Sequence, residues 1–278
     1  MRIGISACSN GRNIEDKKQE EELMEVLREF GAEPVPAPHI YARTDTFSGT
    51  DEERAADLMA FYRDDSIDMI CDISGGDLAN GVLKYLDFEV IAASDKTFWG
   101  YSDLTTVINA IYTMTGKPSV LWQIENLVWK DAELQRKRVR DLVAGDPKGL
   151  FGIDYQFAQG DRMEGIMVGG NIRCFAKLAG TKFWPDLQDK ILFLESFGGE
   201  SGQIATLLAQ LDLIGVFDQV AGVLLGTFTN YERANLKMTV YDLLKMHIRD
   251  DLPVAVTRDI GHGYDSKAIV IGKNMRFE

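Results

Sequence analysis

Two spacings of apolar residues follow one another at the start of the chain. Residues 2–7 form a short apolar run, and over residues 15–30 apolar side chains recur at intervals of three and four. The run predicts a buried strand, and the recurrence predicts an amphipathic helix. The apolar face of that helix consists of Leu23, Val26, Leu27 and Phe30. The chain therefore opens with a strand followed by a helix, which Gly31 is expected to end.

The same succession of strand and helix continues through the first half of the chain. Thr50 and Glu53 have the spacing of a capping box and predict a second helix, after which residues 67–73 form a buried strand. An aromatic strand at residues 98–101 then leads into a helix over residues 103–115. This alternation, with mostly continuous apolar strands, is typical of a parallel sheet with helices on both faces. The first half is thus predicted to be an α/β domain with a Rossmann-like parallel sheet.

A boundary between two domains is predicted after a charged helix at residues 131–143, because the chain is long for a single core. Residues 145–149 hold two glycines and a proline and form the segment richest in structure breakers. Beyond them glycines become more frequent and apolar strands shorter, which indicates a mixed α/β fold. We therefore expect an N-terminal domain at residues 1–146 and a smaller C-terminal domain at residues 147–278.

The charge balance narrows the classes of ligand. The 278 residues include 30 basic and 43 acidic side chains, for a net charge of −13. This field repels phosphate backbones and anionic lipid, so we expect no nucleic-acid partner and no membrane binding, and a small-molecule ligand is favoured. No apolar run approaches the roughly 20 residues that a bilayer requires, and residues 1–5 resemble a strand rather than a signal peptide. With Cys8, Cys71 and Cys174 expected as reduced thiols, the sequence predicts a cytoplasmic protein.

Metal and nucleotide chemistry have little support in the sequence. The three histidines and three cysteines show none of the close spacings of metal-binding motifs. Residues 8–13 follow the first strand but hold one glycine where dinucleotide-binding turns have three. The sequence therefore predicts neither a metal site nor a cofactor.

Ser102 occupies the turn between the aromatic strand and the next helix, where two interpretations stay open. A nucleophile elbow exposes a serine hydroxyl at such a turn, next to a helix N-terminus that favours negative charge. Serine is also among the best N-caps, and Leu104 stands where the elbow motif has its second glycine, so the local pattern by itself favours the N-cap. The turn at Ser74, Gly75 and Gly76 ends a neighbouring strand, and its backbone N–H groups are candidate oxyanion donors at the same edge of the sheet.

A carboxylate and a histidine in the second half also lie at positions suited to catalysis. Glu195 ends a fully apolar strand, where a carboxylate either emerges into water or needs a partner. His262 is flanked by two glycines in an open loop, which is unusual for a core histidine. His39 and His247 have ordinary structural interpretations as loop and helix-surface residues.

Together these features resemble the LD-carboxypeptidase family of serine peptidases, which also contains the microcin C immunity peptidases. The glycine pair, the serine turn, a Gly-Gly-Asn turn at residues 169–171, the glutamate strand and the terminal Gly-His stand in the family's order over nearly the whole chain. The resemblance implies a triad at a site between the two domains. In it Ser102 is the nucleophile, His262 the general base and Glu195 its orienting carboxylate.

The resemblance also implies an oxyanion hole formed by the backbone amides of Gly76 and Asp103, and a homodimer. The chain departs from the family before the glycine pair, where a serine replaces the common arginine and makes this end of the pocket less positive. Candidate substrate contacts are Ser74, Gly75, Asp77, Arg173 and Lys267. Only the arginine and the lysine among them offer a cation for a substrate carboxylate.

Three functions are consistent with the residues and the resemblance. The first is a serine hydrolase that removes a terminal D-amino acid from an L,D-linked muropeptide through an acyl-enzyme. The second is hydrolysis of aminoacyl-nucleotide analogues such as processed microcin C, for which Trp122, Trp129 and Trp184 are candidate stacking surfaces. The third is a two-domain protein that closes on a small ligand without chemistry. Serine, glutamate and histidine at the ends of elements favour the two hydrolases over inert binding.

Overall fold

The computed structural model describes residues 1–278 and contains two six-stranded sheets. The strands are β1 (Arg2–Ser6), β2 (Glu33–Pro36), β3 (Met69–Asp72), β4 (Thr97–Gly100), β5 (Ser119–Leu121), β6 (Gln156–Gln159), β7 (Met163–Asn171), β8 (Ile191–Ser196), β9 (Gly222–Phe228), β10 (Val254–Val256), β11 (Ile269–Ile271) and β12 (Asn274–Phe277). The helices are α1 (Lys17–Glu29), α2 (Asp51–Arg63), α3 (Ala79–Val82), α4 (Phe88–Ala93), α5 (Thr105–Thr115), α6 (Ala132–Val143), α7 (Lys148–Phe151), α8 (Ile172–Ala176), α9 (Ser201–Leu213), α10 (Val216–Gln219), α11 (Thr229–Arg233) and α12 (Val240–Lys245). Short 3-10 helices cover Ile14–Asp16, Leu83–Tyr85, Ser102–Leu104 and Ile124–Leu127.

The first sheet has the strand order β11-β5-β4-β3-β1-β2. Strands β1 to β5 run parallel, and β11 pairs antiparallel with β5 at one edge. The central strands are almost wholly buried, as their continuous apolar sequences predicted. The structure thus confirms the predicted parallel sheet in the first half of the chain.

The second sheet is mixed, with the strand order β12-β7-β8-β9-β10-β6. Its four central strands are parallel, and β12 and β6 pair antiparallel at the two edges. All six residues of β8 are buried, which fits the apolar run that ends at Glu195. The predicted fold class, two α/β units of which the second has a mixed sheet, is therefore confirmed.

One strand near the end of the chain belongs to the first sheet. After β10 the chain returns to pair β11 with β5, and it then places β12 beside β7 in the second sheet. The two sheets are thus joined by the connection before β6 and again by the last strands. The division of the chain into residues 1–146 and 147–278 stays a prediction.

Several helix ends follow the local signals in the sequence. Both hydrogen bonds of the capping box between Thr50 and Glu53 are present at the start of α2. Gly116 ends α5 in the left-handed conformation, with a φ of 71°. Helix α1 begins at Lys17, later than expected, because the preceding residues form a separate 3-10 turn capped by Asn13. None of the helices is long and apolar enough to cross a membrane.

Buried hydrogen bonds attach α5, the helix that follows Ser102, to the second sheet. The side-chain amide of Asn109 donates to the carbonyl of Gly169 (2.8 Å) and accepts from its N–H (2.9 Å). Thr105 Oγ1 accepts a hydrogen bond from the N–H of Asn171 (3.0 Å). Because both polar ends of Asn109 are used and the residue is fully buried, this contact fixes the position of α5 against β7.

We expect Asn109→Ala to lower the free energy of unfolding by about 2 to 4 kcal/mol, because it leaves a buried N–H and a buried carbonyl of Gly169 without partners. Urea denaturation of both proteins measures this difference. Asn230→Ala is the matched control: its side chain is exposed, and the change should stay within about 0.5 kcal/mol. Equal unfolding midpoints for Asn109→Ala and the wild-type protein would show that the contact contributes nothing.

Candidate active site

Ser102 adopts a backbone conformation that is uncommon for residues other than glycine. Its φ is 52°, in a sharp turn between β4 and the 3-10 helix that leads into α5. The N-cap position of that helix is taken by Tyr101, whose backbone is extended, and no side chain caps it. The interpretation of Ser102 as an N-cap is therefore wrong: its backbone is left-handed, and its hydroxyl bonds elsewhere.

A chain of hydrogen bonds joins Ser102 to a histidine in the loop after β10 and to a carboxylate of β8. Ser102 Oγ lies 3.1 Å from His262 Nε2, and His262 Nδ1 lies 2.6 Å from Glu195 Oε2. Glu195 is completely buried in β8, so it does not emerge into water. A carboxylate at Nδ1 places the ring proton there and leaves Nε2 free to accept the serine proton.

Two aromatic rings flank the imidazole of His262. The ring of Tyr101 lies 4.6 Å from it and the ring of Phe197 lies 5.3 Å from it, centroid to centroid. The Tyr101 hydroxyl also donates to Glu195 Oε2 at 3.5 Å, and burial raises the pKa of Tyr101, which keeps it a neutral donor. These rings restrict the orientation of the imidazole. No sequence spacing pointed to this role for Phe197.

The loop that carries His262 requires glycine before it. Gly261 has a φ of 154°, and a Cβ there would lie 1.8 Å from Thr227 Oγ1. A side chain at this position would displace either the loop or β9. Because Gly261 has no side chain, the loop approaches the sheet closely, and His262 reaches Ser102.

The glycine turn after β3 borders the serine from the other side. Gly76 has a φ of 120°, and a Cβ on it would lie 2.2 Å from Asn10 Cγ. A Cβ on Gly75 would lie 3.9 Å from the Cβ of Ser102. The backbone N–H groups of Gly76 and Asp103 find no acceptor within the protein. Both are thus free to donate to a ligand at Ser102.

A buried carboxylate holds this turn in place. Asp72 accepts hydrogen bonds from Ser74 N (2.8 Å) and Ser74 Oγ (2.5 Å), and also from Ser6 Oγ and Cys8 N. Ser74 Oγ accepts in turn from Ser9 N at 2.8 Å. Ser74, predicted as a substrate contact, is committed to these bonds and supports the turn.

The side chain of Asp103 anchors the turn that contains Ser102. It is fully buried and accepts from Ser9 Oγ (2.6 Å) and from the N–H of Ala79 (2.8 Å). Lys177, which follows α8, forms an ion pair with it at 2.5 Å. The residue after the serine is thus fixed to the loop after β1, to α3 and to the second half of the chain.

The two predicted cations lie in different places. Arg173 borders a large cavity in front of Ser102, where it pairs with Asp77 and donates to the carbonyl of Gly76 (3.1 Å). The Arg173 guanidinium holds the pKa of Asp77 below its ordinary value. Lys267 does not reach the site: its ammonium bonds to Asp259 and to a backbone carbonyl, outside the space around the serine. Lys267 is close to His262 in sequence, but its side chain points away from the serine.

The large cavity has a volume of about 1040 Å³. Its lining includes Ser102 and His262 together with the aromatic side chains of Trp129, Phe197 and Tyr264. It also contains the exposed side chain of Arg233, to which no pattern in the sequence pointed. The other two candidate tryptophans lie outside it. Trp122 is buried and donates to a backbone carbonyl, and Trp184 packs on Phe175.

A small cavity of about 110 Å³ shares Ser102, Gln123 and His262 with the large one and borders a buried charge cluster. Arg12 lies between two carboxylates, 2.8 Å from Glu20 and 2.5 Å from Glu125. Burial, opposed by Arg12 and assisted by the charge of Glu20, raises the pKa of Glu125 to about 7. One guanidinium cannot neutralise two buried carboxylates, so Glu125 takes up a proton near neutral pH.

Two protein-family models match most of the chain. Residues 3–121 match the family model described as the LD-carboxypeptidase N-terminal domain, and residues 164–277 match the one described as the LD-carboxypeptidase C-terminal domain. A Streptomyces coelicolor protein named as a carboxypeptidase is 31% identical over 258 residues, which cover 89% of this chain and 81% of that protein. A Bacillus subtilis protein named as a murein peptide carboxypeptidase is 27% identical over 274 residues, which cover 92% of this chain and 83% of that protein.

A solved structure shares the fold over almost the whole chain. It is the microcin C7 self-immunity protein MccF in complex with aspartyl sulfamoyl adenosine, with a TM-score of 0.89 at 22% sequence identity. The match covers 99% of this chain and 92% of that one. The likeness therefore extends across both sheets and includes the connection between them.

The charge cluster predicts a pH dependence of stability. The folded protein holds the Glu125 proton up to about pH 7, whereas the unfolded chain releases it near the ordinary value of 4.5. The folded state therefore binds more protons in this window, and the free energy of unfolding decreases as the pH rises through it. We expect this group to contribute a decrease on the order of 2 kcal/mol between pH 5 and pH 8.

Glu125→Gln should remove that contribution, so that the variant loses less stability than the wild-type protein between pH 5 and pH 8. Urea unfolding at both pH values measures the effect. Glu133→Gln, at an exposed position of α6, is the control and should leave the pH dependence unchanged. An identical loss of stability in Glu125→Gln and the wild-type protein would contradict the assignment.

Proposed function

Since the chain belongs to the LD-carboxypeptidase family, we propose that it is a serine carboxypeptidase that removes a terminal D-amino acid from L,D-linked muropeptides. The observation that carries the proposal is the hydrogen-bonded series Ser102, His262 and Glu195, which lies where the large and small cavities meet. A long peptide chain has room on one side of the serine. The name of the Bacillus subtilis relative supports a muropeptide as the substrate.

In the proposed reaction His262 Nε2 takes the proton of Ser102 Oγ as the oxygen attacks the carbonyl carbon of the terminal peptide bond. Glu195 holds the tautomer of the imidazole and stabilises the positive charge that forms on it. The proton then passes from His262 to the departing amine as the C–N bond breaks, and an acyl-enzyme remains. Water hydrolyses that ester with the same histidine as base.

The negative charge of the tetrahedral intermediate needs donors near Ser102. The proposed donors are the backbone N–H groups of Gly76 and Asp103, which have no acceptor within the protein. The turn at Gly75 lies against Ser102, and the side chain of Asp103 is fixed by three partners. Donors held in this way stabilise the intermediate without reorganising during the reaction.

A second candidate function is hydrolysis of aminoacyl-nucleotide analogues. The large cavity presents the aromatic surfaces of Trp129, Phe197 and Tyr264, on which a nucleobase could stack, and the fold matches MccF bound to aspartyl sulfamoyl adenosine. Incubation with a muramyl tetrapeptide and, separately, with an aminoacyl sulfamoyl adenylate distinguishes the two. Mass spectrometry would detect the tripeptide in the first case and amide cleavage in the second. Failure to convert either compound would favour a binding protein without catalytic activity.

We further propose that the protein is cytoplasmic and forms a homodimer. All three cysteines are buried and unpaired, as suits a reducing compartment. Leu213, at the end of α9, is 82% exposed, and Met246, just after α12, is 60% exposed. The two helix ends are connected by the hydrogen bond between Asp212 and His247 at 2.9 Å. This apolar surface is a candidate for the contact between protomers.

The triad assignment predicts that Ser102→Ala removes essentially all tetrapeptide hydrolysis, by up to about a millionfold, because triad residues act as a unit. His262→Ala should lose nearly as much, whereas Glu195→Gln should keep more activity, since it misorients the base without removing it. Rates of tripeptide formation measure these losses, and thermal unfolding checks that each variant folds. Substantial turnover by Ser102→Ala would rule the assignment out.

Two other histidines serve as controls for the triad. His39 bonds to Asp57 and His247 to Asp212, both away from the cavities around Ser102. His39→Ala and His247→Ala should leave the hydrolysis rate within about twofold of the wild-type rate, as expected for changes outside the reacting groups.

The homodimer predicts a mass of twice 31.1 kDa by light scattering coupled to size-exclusion chromatography at micromolar concentration. Replacing Leu213 and Met246 together by Asp should shift the mass toward that of one chain, because charged groups disfavour an apolar contact. A single-chain mass for the wild-type protein would refute the dimer.

A further inference from the structure

The serine lies between two spaces of very different size. The large cavity has about 1040 Å³ and the small cavity about 110 Å³. Ser102, Gln123 and His262 line both, while Gly75 borders the small cavity and Gly76 the large one. A peptide bond held at Ser102 therefore has room for an extended chain on one side and for only a small group on the other.

The wall of the small cavity contains a cation that is held in place before any ligand binds. Arg12 Nε donates to Glu20 Oε1 at 2.8 Å, and Nη2 lies 2.5 Å from Glu125 Oε1. The remaining terminal nitrogen, Nη1, has no acceptor within the protein. The side chain is only 17% exposed. A guanidinium fixed in this way can bind a carboxylate without losing side-chain freedom.

The acidic groups nearby do not exclude a further carboxylate. The titratable groups that face the cavity or its cation are Arg12, Asp16, Glu20, Tyr41, Asp72, Tyr101, Glu125 and His262. Asp72 accepts four hydrogen bonds, from residues in and just after β1 and from the turn after β3, so it does not need Arg12 as a partner. Glu125 takes up a proton near neutral pH because burial raises its pKa to about 7, and a protonated carboxyl is a donor rather than a competing anion.

We propose that the small cavity receives the departing amino acid and that Arg12 binds its terminal carboxylate. The inference rests on the proposed carboxypeptidase function. Ser102 Oγ bonds to the carbonyl carbon, the C–N bond to the terminal residue breaks, and the departing nitrogen takes the proton that His262 removed from the serine. Because His262 also lines the small cavity, the free amino acid forms beside the group that protonates it.

The volume of the small cavity limits what can depart. It has about a tenth of the volume of the large cavity, so it suits a small departing residue such as alanine better than a large one. In an aminoacyl-nucleotide the departing side carries the nucleoside, which is far larger than this space. The small cavity thus favours a peptide with a small terminal residue over the nucleotide substrate.

A substrate series with the wild-type protein tests the inference without any substitution. Three tetrapeptides that share one tripeptide portion end in D-alanine, D-phenylalanine or D-alanine amide. We expect kcat/KM to fall at least about 100-fold for the large residue, which cannot enter the cavity, and about 10- to 100-fold for the amide, which lacks the anion for Arg12. Equal cleavage of all three would overturn this inference and leave the proposed function standing. No cleavage of any would overturn both.

Variants of the cation supply the second test. Arg12→Gln should raise KM for the acid at least about tenfold and leave KM for the amide within twofold, while Arg12→Lys should have an intermediate effect. Arg63→Gln, which removes an arginine from a surface ion pair with Asp87, is the matched control and should change neither constant. Equal losses for acid and amide would contradict the role of Arg12. Should Arg12→Gln fail to fold, Arg12→Lys and the substrate series decide the question.

Discussion

The hydrogen bond between Ser102 and His262 joins parts of the site that are held by different sheets. The rest of the site depends on a fixed position of the two sheets relative to each other. The serine follows β4 of the first sheet, the carboxylate of Glu195 belongs to β8 of the second, and the histidine lies in the loop that leads from β10 back to β11. A 3.1 Å contact across such a junction survives only if the sheets do not shift. The bonds of Asn109 to Gly169, and the ion pair of Asp103 with Lys177, supply that restraint within a few residues of the serine.

Most of the fold was accessible from sequence because burial acts locally on strands and helices. Apolar runs marked β3 and β8, and the capping box marked the start of α2, since each signal lies within a few residues of the element it defines. The site was harder to predict. The local pattern at Ser102 favoured an N-cap, whereas the turn has a left-handed backbone and its next residue, Asp103, is held by partners distant in sequence. The family resemblance brought the three candidate residues together where spacing could not.

The direction of charged side chains was the least predictable property. Lys267 is close to His262 in sequence, yet it faces Asp259. Arg12 and Glu125 are far apart in sequence, yet they form one cluster behind the serine. The buried carboxylates differ in the number of hydrogen-bond donors that surround them. Asp72 and Asp103 have several, whereas Glu125 shares one guanidinium with Glu20. Such differences depend on packing across the whole molecule, which no local pattern encodes.

The return of β11 to the first sheet also affects the order in which the protein can assemble on the ribosome. Strand β5 stays an open edge until residues 122–268 have been made and β11 can pair with it. Open edges of nascent sheets are sites where chains join wrongly. His262 lies in the same late segment, so the serine has no base while that edge is open. The growing chain therefore completes its first sheet and acquires its candidate base at nearly the same point in synthesis.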